Sequence, residues 1–262
     1  MEAINKFGDF IDEIPYFPVL HSIHCFASTA SIRSQPGALE FAHRHPLASL
    51  ASNLMIINAG GIMTAAALGK PLIGPFGNVA NTFTAILFWW LLYFGPGDIG
   101  FKLYKIKPLQ LALMLGRETR RCKKIMDTVK VSATILSGQW INIILVGMLG
   151  GCSGKFLQTT EESIRKKEID VSKSEFLQLS FVTKASLCIS ILFTLVNMNL
   201  ISMTASQALI VSSTALIATN LSIVLLGFQD PFHPIAKVTW KMVSITSMQQ
   251  DQAKKDEKKK EL

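Results

Sequence analysis

Apolar residues along this 262-residue chain come in blocks rather than in alternation. Leu47–Gly69, Pro71–Gly97, Val131–Gly154 and Ala185–Gln229 contain no Asp, Glu, Lys or Arg. A helix needs about 20 apolar residues to cross a hydrocarbon layer of about 30 Å, so each block holds at least one span and the last holds two. Apolar runs set against Gly, Pro and Asn breakers predict seven helices, near 16–33, 47–68, 80–95, 108–129, 138–157, 176–197 and 206–227. The first carries His21 and His24, and the fourth carries a charge cluster. Gly69–Asn78 and Gly95–Gly97 read as connectors, and 228–262, rich in Gln, Asp and Lys, as a disordered basic tail.

Composition agrees with a membrane protein: 49% of residues are hydrophobic and 17% charged, where soluble domains carry about a quarter. Cys25, Cys122, Cys152 and Cys188 fall singly inside apolar segments, without ligand or disulfide spacing, and read as packing residues. The acidic N-terminus (Glu2, Asp9, Asp12, Glu13) lacks the basic start of a cleavable signal peptide.

Loop charges set the orientation. One set of alternate segments carries Arg33, Arg44, Lys102, Lys105, Lys107, Lys155, Arg165, Lys166, Lys167, Lys173 and seven lysines from Lys237 on; the other carries only Lys6, Lys70 and Lys130. The rich side is expected to be cytosolic and to include the C-terminus, which puts residues 1–15 on the luminal side. Net charge +8 is thereby explained by sidedness, and nucleic-acid binding is not indicated. With a cytosolic end, Lys259 and Lys260, third and fourth from the terminus, have the form of an endoplasmic-reticulum retrieval signal or of a plain solvated tail.

Weak internal similarity adds a topology. Gly60-Gly61 recurs ninety residues later as Gly150-Gly151, and Pro18 recurs as Pro108 at the same offset; Ile86-Leu87-Phe88 has a counterpart in Ile191-Leu192-Phe193. These matches predict an all-α membrane protein of seven transmembrane helices: a three-helix repeat over 16–95, a cytosolic linker over 96–107, a second repeat over 108–197 and a seventh helix over 206–227. Three helices is an odd number, so the repeats are inverted, an arrangement that places a pathway between the halves. The glycine pairs are expected to form a pore-lining bend, with small-residue helix packing as the competing role.

The fourth helix carries the candidate chemistry. At 100° per residue Arg117, Arg121 and Lys124 form one stripe, Arg120 lies at its edge, and Glu118 neighbours Arg121. Arg117 is nine residues beyond Pro108, about 14 Å along the axis and near mid-membrane. Arginine at that depth costs at least about 2.5 kcal/mol unless it meets water, a counter-charge or an anionic ligand. The alternatives are an amphipathic helix outside the bilayer or side chains reaching to an interface. Guanidinium forks grip phosphate oxygens bidentately, which suits a phosphoinositide headgroup, and the same charges can sense voltage. Lys184, a second intramembrane cation, is placed either near this site or at the cytosolic boundary.

At these residues the chain resembles the trimeric intracellular cation channels, closest to an invertebrate B-type member. The family's Lys-Glu-Val-x-Arg motif is matched by Arg117-Glu118-Thr119-Arg120-Arg121, with Arg for Lys and Thr for Val. Further matches are Gln35–Ala38, His45–Ser49, Gly69–Ile73, Ser180–Leu187 and Ile191–Leu195, covering about 15–227 in order. The resemblance implies a homotrimer among membrane lipids, each subunit with its own pore. It also implies potassium conduction across the endoplasmic or sarcoplasmic reticulum that offsets calcium release. It implies bound phosphatidylinositol 4,5-bisphosphate on Arg117 and Arg121, with Gly60, Gly61, Gly150 and Gly151 at the helix bends. A pore lined by arginine repels cations, and a bound polyphosphate would reverse that sign. A secondary transporter of an anionic or phosphorylated solute is the alternative, weakened because Glu118 is the one clear intramembrane carboxylate. No nucleophile–base pair or phosphate-cradling loop suggests an enzyme, and His21, His24, His43, His45 and His233 are scattered in a way that suits packing.

Overall fold

The computed structural model describes residues 13–166 and 179–227. Residues 1–12, the start of the helix expected from 176, and the tail with Lys259 and Lys260 lie outside the described residues. Those described form nine α-helices and no strand. After an irregular helical turn at Tyr16–Leu20 they run α1 His21–Arg33, α2 Ala38–Arg44, α3 Pro46–Ala67, α4 Val79–Phe94, α5 Ile99–Tyr104, α6 Lys107–Ile135, α7 Trp140–Lys166, α8 Phe181–Asn197 and α9 Ala205–Leu226. The compact unit containing the site ends at Ile217; the described part of the second unit, 218–227, is the remainder of α9 and one further residue.

Local chemistry explains the boundaries. Pro46 sits in the first turn of α3, where its missing N–H costs nothing. At the other end Gly69 adopts φ 65°, and the Lys70 and Gly69 amides donate to the Ala65 and Ala66 carbonyls at 2.8 and 3.3 Å. Asn78 caps α4 by accepting from the Asn81 amide at 3.2 Å. Asn199, also left-handed, closes α8 in the way Gly69 closes α3.

The seven expected helices are all present, with differences. The segment before Pro46 contains the short helix α2, entered through Gly37 at φ 75°. The expected linker 96–107 contains α5, set at 91° to α4 by the left-handed pair Gly97 and Asp98. α7 runs nine residues beyond the expected end, carried by the i,i+4 pairs Glu161–Arg165 and Glu162–Lys166. By length and composition α3, α7 and α9 can each cross a membrane, as can the bent α4–α5 pair if it is one span; α8 is apolar but shorter.

Packing centres on α3 against α7, flanked by α6 and α8 on α7 and by α1 against α4. Cys25, Ile57 and Ala85 join α1, α3 and α4 in one core cluster, and Ala42, Trp89 and Tyr93 join α2 to α4 in another. The Trp89 indole donates to Ser49 Oγ at 3.1 Å, pinning α4 to α3.

The glycine pairs act here by close approach. Both α3 and α7 run unbroken through them. A Cβ on Gly60 would stand 2.7 Å from the Gly150 carbonyl oxygen, so the two backbones touch where the proposed repeats match. On the other faces of α7, a Cβ on Gly147 would meet Ser190 Oγ at 2.2 Å, and one on Gly151 would meet Ile125 Cδ1 at 2.6 Å. Small-residue packing, the competing role, is present at both pairs and lets backbones approach where no side chain fits.

Candidate functional site

The helices line a partly open cavity of about 510 Å³. α6 supplies Arg117, Arg120, Arg121 and Lys124 to its wall, and α7 supplies Lys155. The glycine pairs contribute from α3 and α7, so seven residues expected at the site (Arg117, Arg121, Lys124, Gly60, Gly61, Gly150 and Gly151) meet in one space. A Cβ on any of the four would meet Pro75 or a neighbouring helix, so these glycines set how closely the wall packs.

Glu118 has another place. It is buried at 1% exposure and accepts a short bond from Arg121, with Arg117 Nε 3.9 Å away. It buttresses the arginines from behind rather than lining the cavity. Lys184 is not among the lining residues, and Val182 represents α8 there.

Sequence reasoning missed part of the wall. Tyr16, His21, His24, Asn81 and Gln158 all line the cavity. His21 Nε2 donates to the Asn81 carbonyl at 2.9 Å, and His24 Nε2 to the Ile57 carbonyl at 3.1 Å, so the helix-one histidines join α1 to α4 and α3. Their i,i+3 spacing on a weak span is the one signal that pointed to a polar face. At the far end of α7, Gln158 donates to Ser31 Oγ at 3.2 Å; Arg165 donates to Gln35 Oε1 at 2.7 Å and to the Pro36 carbonyl at 2.5 Å. Those contacts account for the Gln35–Ala38 motif: it is the seat of α7 on the α1–α2 connection.

The lining residues include five Lys or Arg and no Asp or Glu. Arg117 Nε and Arg120 Nε are buried without a hydrogen-bond partner. Buried donors of this kind normally find acceptors, so the wall has the chemistry of a receptor for an anion. A phosphate-bearing headgroup fits both the volume and the donor set.

Apolar membrane-length helices around a basic internal cavity define an integral membrane protein with a polar space inside one chain. The sequence profile described as TRIC channel matches residues 35–227. A trimeric intracellular cation channel type B-B from Xenopus laevis is 26% identical over 239 residues, covering 90% of this chain and 83% of that protein. A trimeric intracellular cation channel from C. elegans, solved in the absence of Ca2+, superposes with a TM-score of 0.78 at 26% identity, covering 87% of this chain and 99% of that one. A structure concerned with TRIC counter-ion channels in calcium release gives a TM-score of 0.79, covering 85% and 99%; at 24% identity it speaks to the fold alone. This chain belongs to the TRIC channel family, whose members are ion channels and not enzymes.

Proposed function

We propose that the chain is a potassium channel of the endoplasmic or sarcoplasmic reticulum, passing counter-ion current while calcium is released. The observation that carries this reading is the cavity inside a single chain, basic on its α6 wall and glycine-lined on α3 and α7. Phosphatidylinositol 4,5-bisphosphate is held by Arg117 and Arg121, braced by Glu118 and flanked by Lys124. The lipid phosphates reverse the sign of the wall, so that potassium passes beside them and chloride does not. Movement of the same helix charges in the membrane field gives the channel its voltage dependence, at about 2.3 kcal/mol per charge per 100 mV across the full field. Lys184 sits outside the cavity wall and contributes to gating at the cytosolic boundary.

Seven spans make up the chain, as two inverted three-helix repeats over 16–95 and 108–197 joined by the 96–107 linker, with the seventh at 206–227. The packing supports this reading. The pairs α1–α4, α1–α3 and α3–α4 have counterparts in α6–α8, α6–α7 and α7–α8, while α3–α7 and α1–α6 pair across. Contact of Gly60 with Gly150 is what a two-fold axis between matched positions requires. The subunits assemble as a homotrimer, as the relatives' names describe. Residues 1–15 are luminal, 228–262 cytosolic, and Lys259 and Lys260 return the protein to the endoplasmic reticulum.

Planar-bilayer recording of the reconstituted chain tests this. Potassium/chloride gradients should give a reversal potential set by potassium, and opening should depend on added phosphatidylinositol 4,5-bisphosphate. Arg117→Ala and Arg121→Ala channels that keep the native lipid affinity would end the reading.

A further inference from the structure

Arg120 stands beside the Arg117–Arg121–Lys124 stripe and still lines the cavity. Its Nε is buried without a hydrogen-bond partner, and its guanidinium lies over the Tyr16 ring, 5.6 Å from the centroid. The Tyr16 hydroxyl is likewise buried and unpartnered. Among the described residues no carboxylate pairs with Arg120, because Glu118, the nearest in sequence, is committed to Arg121 and Arg117. Two buried donors in the wall of one cavity with no acceptor are costly unless a ligand brings the acceptor.

Each guanidinium fork matches one phosphate. Arg117 and Arg121, one helical turn apart, account for the two phosphomonoesters of a bisphosphate headgroup. Arg120 follows Arg117 by three residues, where side chains on a helix stand about 5–6 Å apart at Cβ, and it offers a third fork, with Tyr16 in the same cavity wall. We propose that the cavity selects a cyclitol headgroup with three phosphomonoesters over one with two, and that Arg120 with Tyr16 is the receptor for the third phosphate. This rests on the phosphoinositide reading of Arg117 and Arg121 and adds its specificity. The same phosphates can arrive on a membrane lipid or on a free inositol polyphosphate.

Binding to the full-length chain in lipid nanodiscs tests the proposal. The probes are short-chain phosphatidylinositols with one, two or three phosphomonoesters, and free inositol trisphosphate and tetrakisphosphate. The native chain should bind the three-phosphomonoester lipid about tenfold or more tightly than the two, the gain a charge-assisted pair supplies. Arg120→Gln should bring that ratio to about one, and Tyr16→Phe should lower it by a smaller factor. Arg117→Ala should weaken both ligands and preserve the ratio. Arg120→Lys, which keeps the charge and loses the fork, should give an intermediate ratio. Retained binding of the two-phosphomonoester lipid shows that the variants are folded. Tight binding of the acyl-free compounds identifies a soluble ligand, and binding only of those with acyl chains identifies a lipid; either sustains the proposal. Equal affinity of the native chain for two and three phosphomonoesters, or a ratio unmoved by Arg120→Gln, overturns it while leaving the phosphoinositide reading in place. Failure of every probe to bind removes both.

Discussion

Arg33, buried at the end of α1, and Arg120, half-buried in the middle of α6, are treated by the protein in opposite ways. The Arg33 side chain, 6% exposed, donates a short bond to the Leu92 carbonyl and pairs with Asp98 at 2.5 Å. Its guanidinium also stacks 4.3 Å from the Phe101 centroid. Every partner comes from the α4–α5 corner, so Arg33 fixes the 91° turn there. Arg120 has an aromatic ring and, among the described residues, no acceptor at its buried Nε. A paired arginine is structural; an unpaired one beside a cavity is kept for something that binds.

The contrast predicts a difference in sign. Arg33→Ala should cost about 2–4 kcal/mol, since a charged donor of the Leu92 carbonyl is lost while Asp98, 43% exposed, stays partly solvated. Thermal unfolding in detergent would read this as a clear fall in Tm. Arg165→Ala, which removes the bonds to Gln35 and Pro36, should cost about 1–2 kcal/mol and speed proteolysis near residue 36. Arg120→Gln should instead leave the ligand-free protein unchanged or more stable by up to about 1 kcal/mol, because a desolvated charge is removed. A loss there as large as that of Arg33→Ala would erase the distinction between the two arginines. Arg44→Ala, which breaks only the exposed pair with Glu40, should stay within about 0.5 kcal/mol and sets the scale for a surface arginine.

Much of the fold is legible because charge-free blocks and their breakers depend on neighbours in sequence. The cores of α3, α4, α7, α8 and α9 stand where the apolar runs place them. The short helices α2 and α5 are not legible: each depends on left-handed residues, Gly37 or the Gly97–Asp98 pair, and on docking against Trp89 or Arg33. The extension of α7 carried a readable signal in its i,i+4 pairs, which a hydropathy criterion passes over. At the site, the Arg117–Arg121–Lys124 stripe follows from helical geometry alone. Tyr16, Asn81 and Gln158 come from other helices, and no local pattern marks them as its neighbours.

By itself the sequence determined that this is a multi-pass helical protein, that one helix carries a stripe of cations, and that glycine pairs recur at a fixed interval. Those properties depend on composition and on 3.6-residue periodicity, which a chain carries before it folds. Tertiary structure decided that Glu118 stands behind the stripe and that Gly60 meets Gly150. It also decided that Arg33 has an acceptor while the buried Nε of Arg120 has none. Each of these depends on which backbone or side chain from a distant segment reaches a given atom, and only the packed helices fix that.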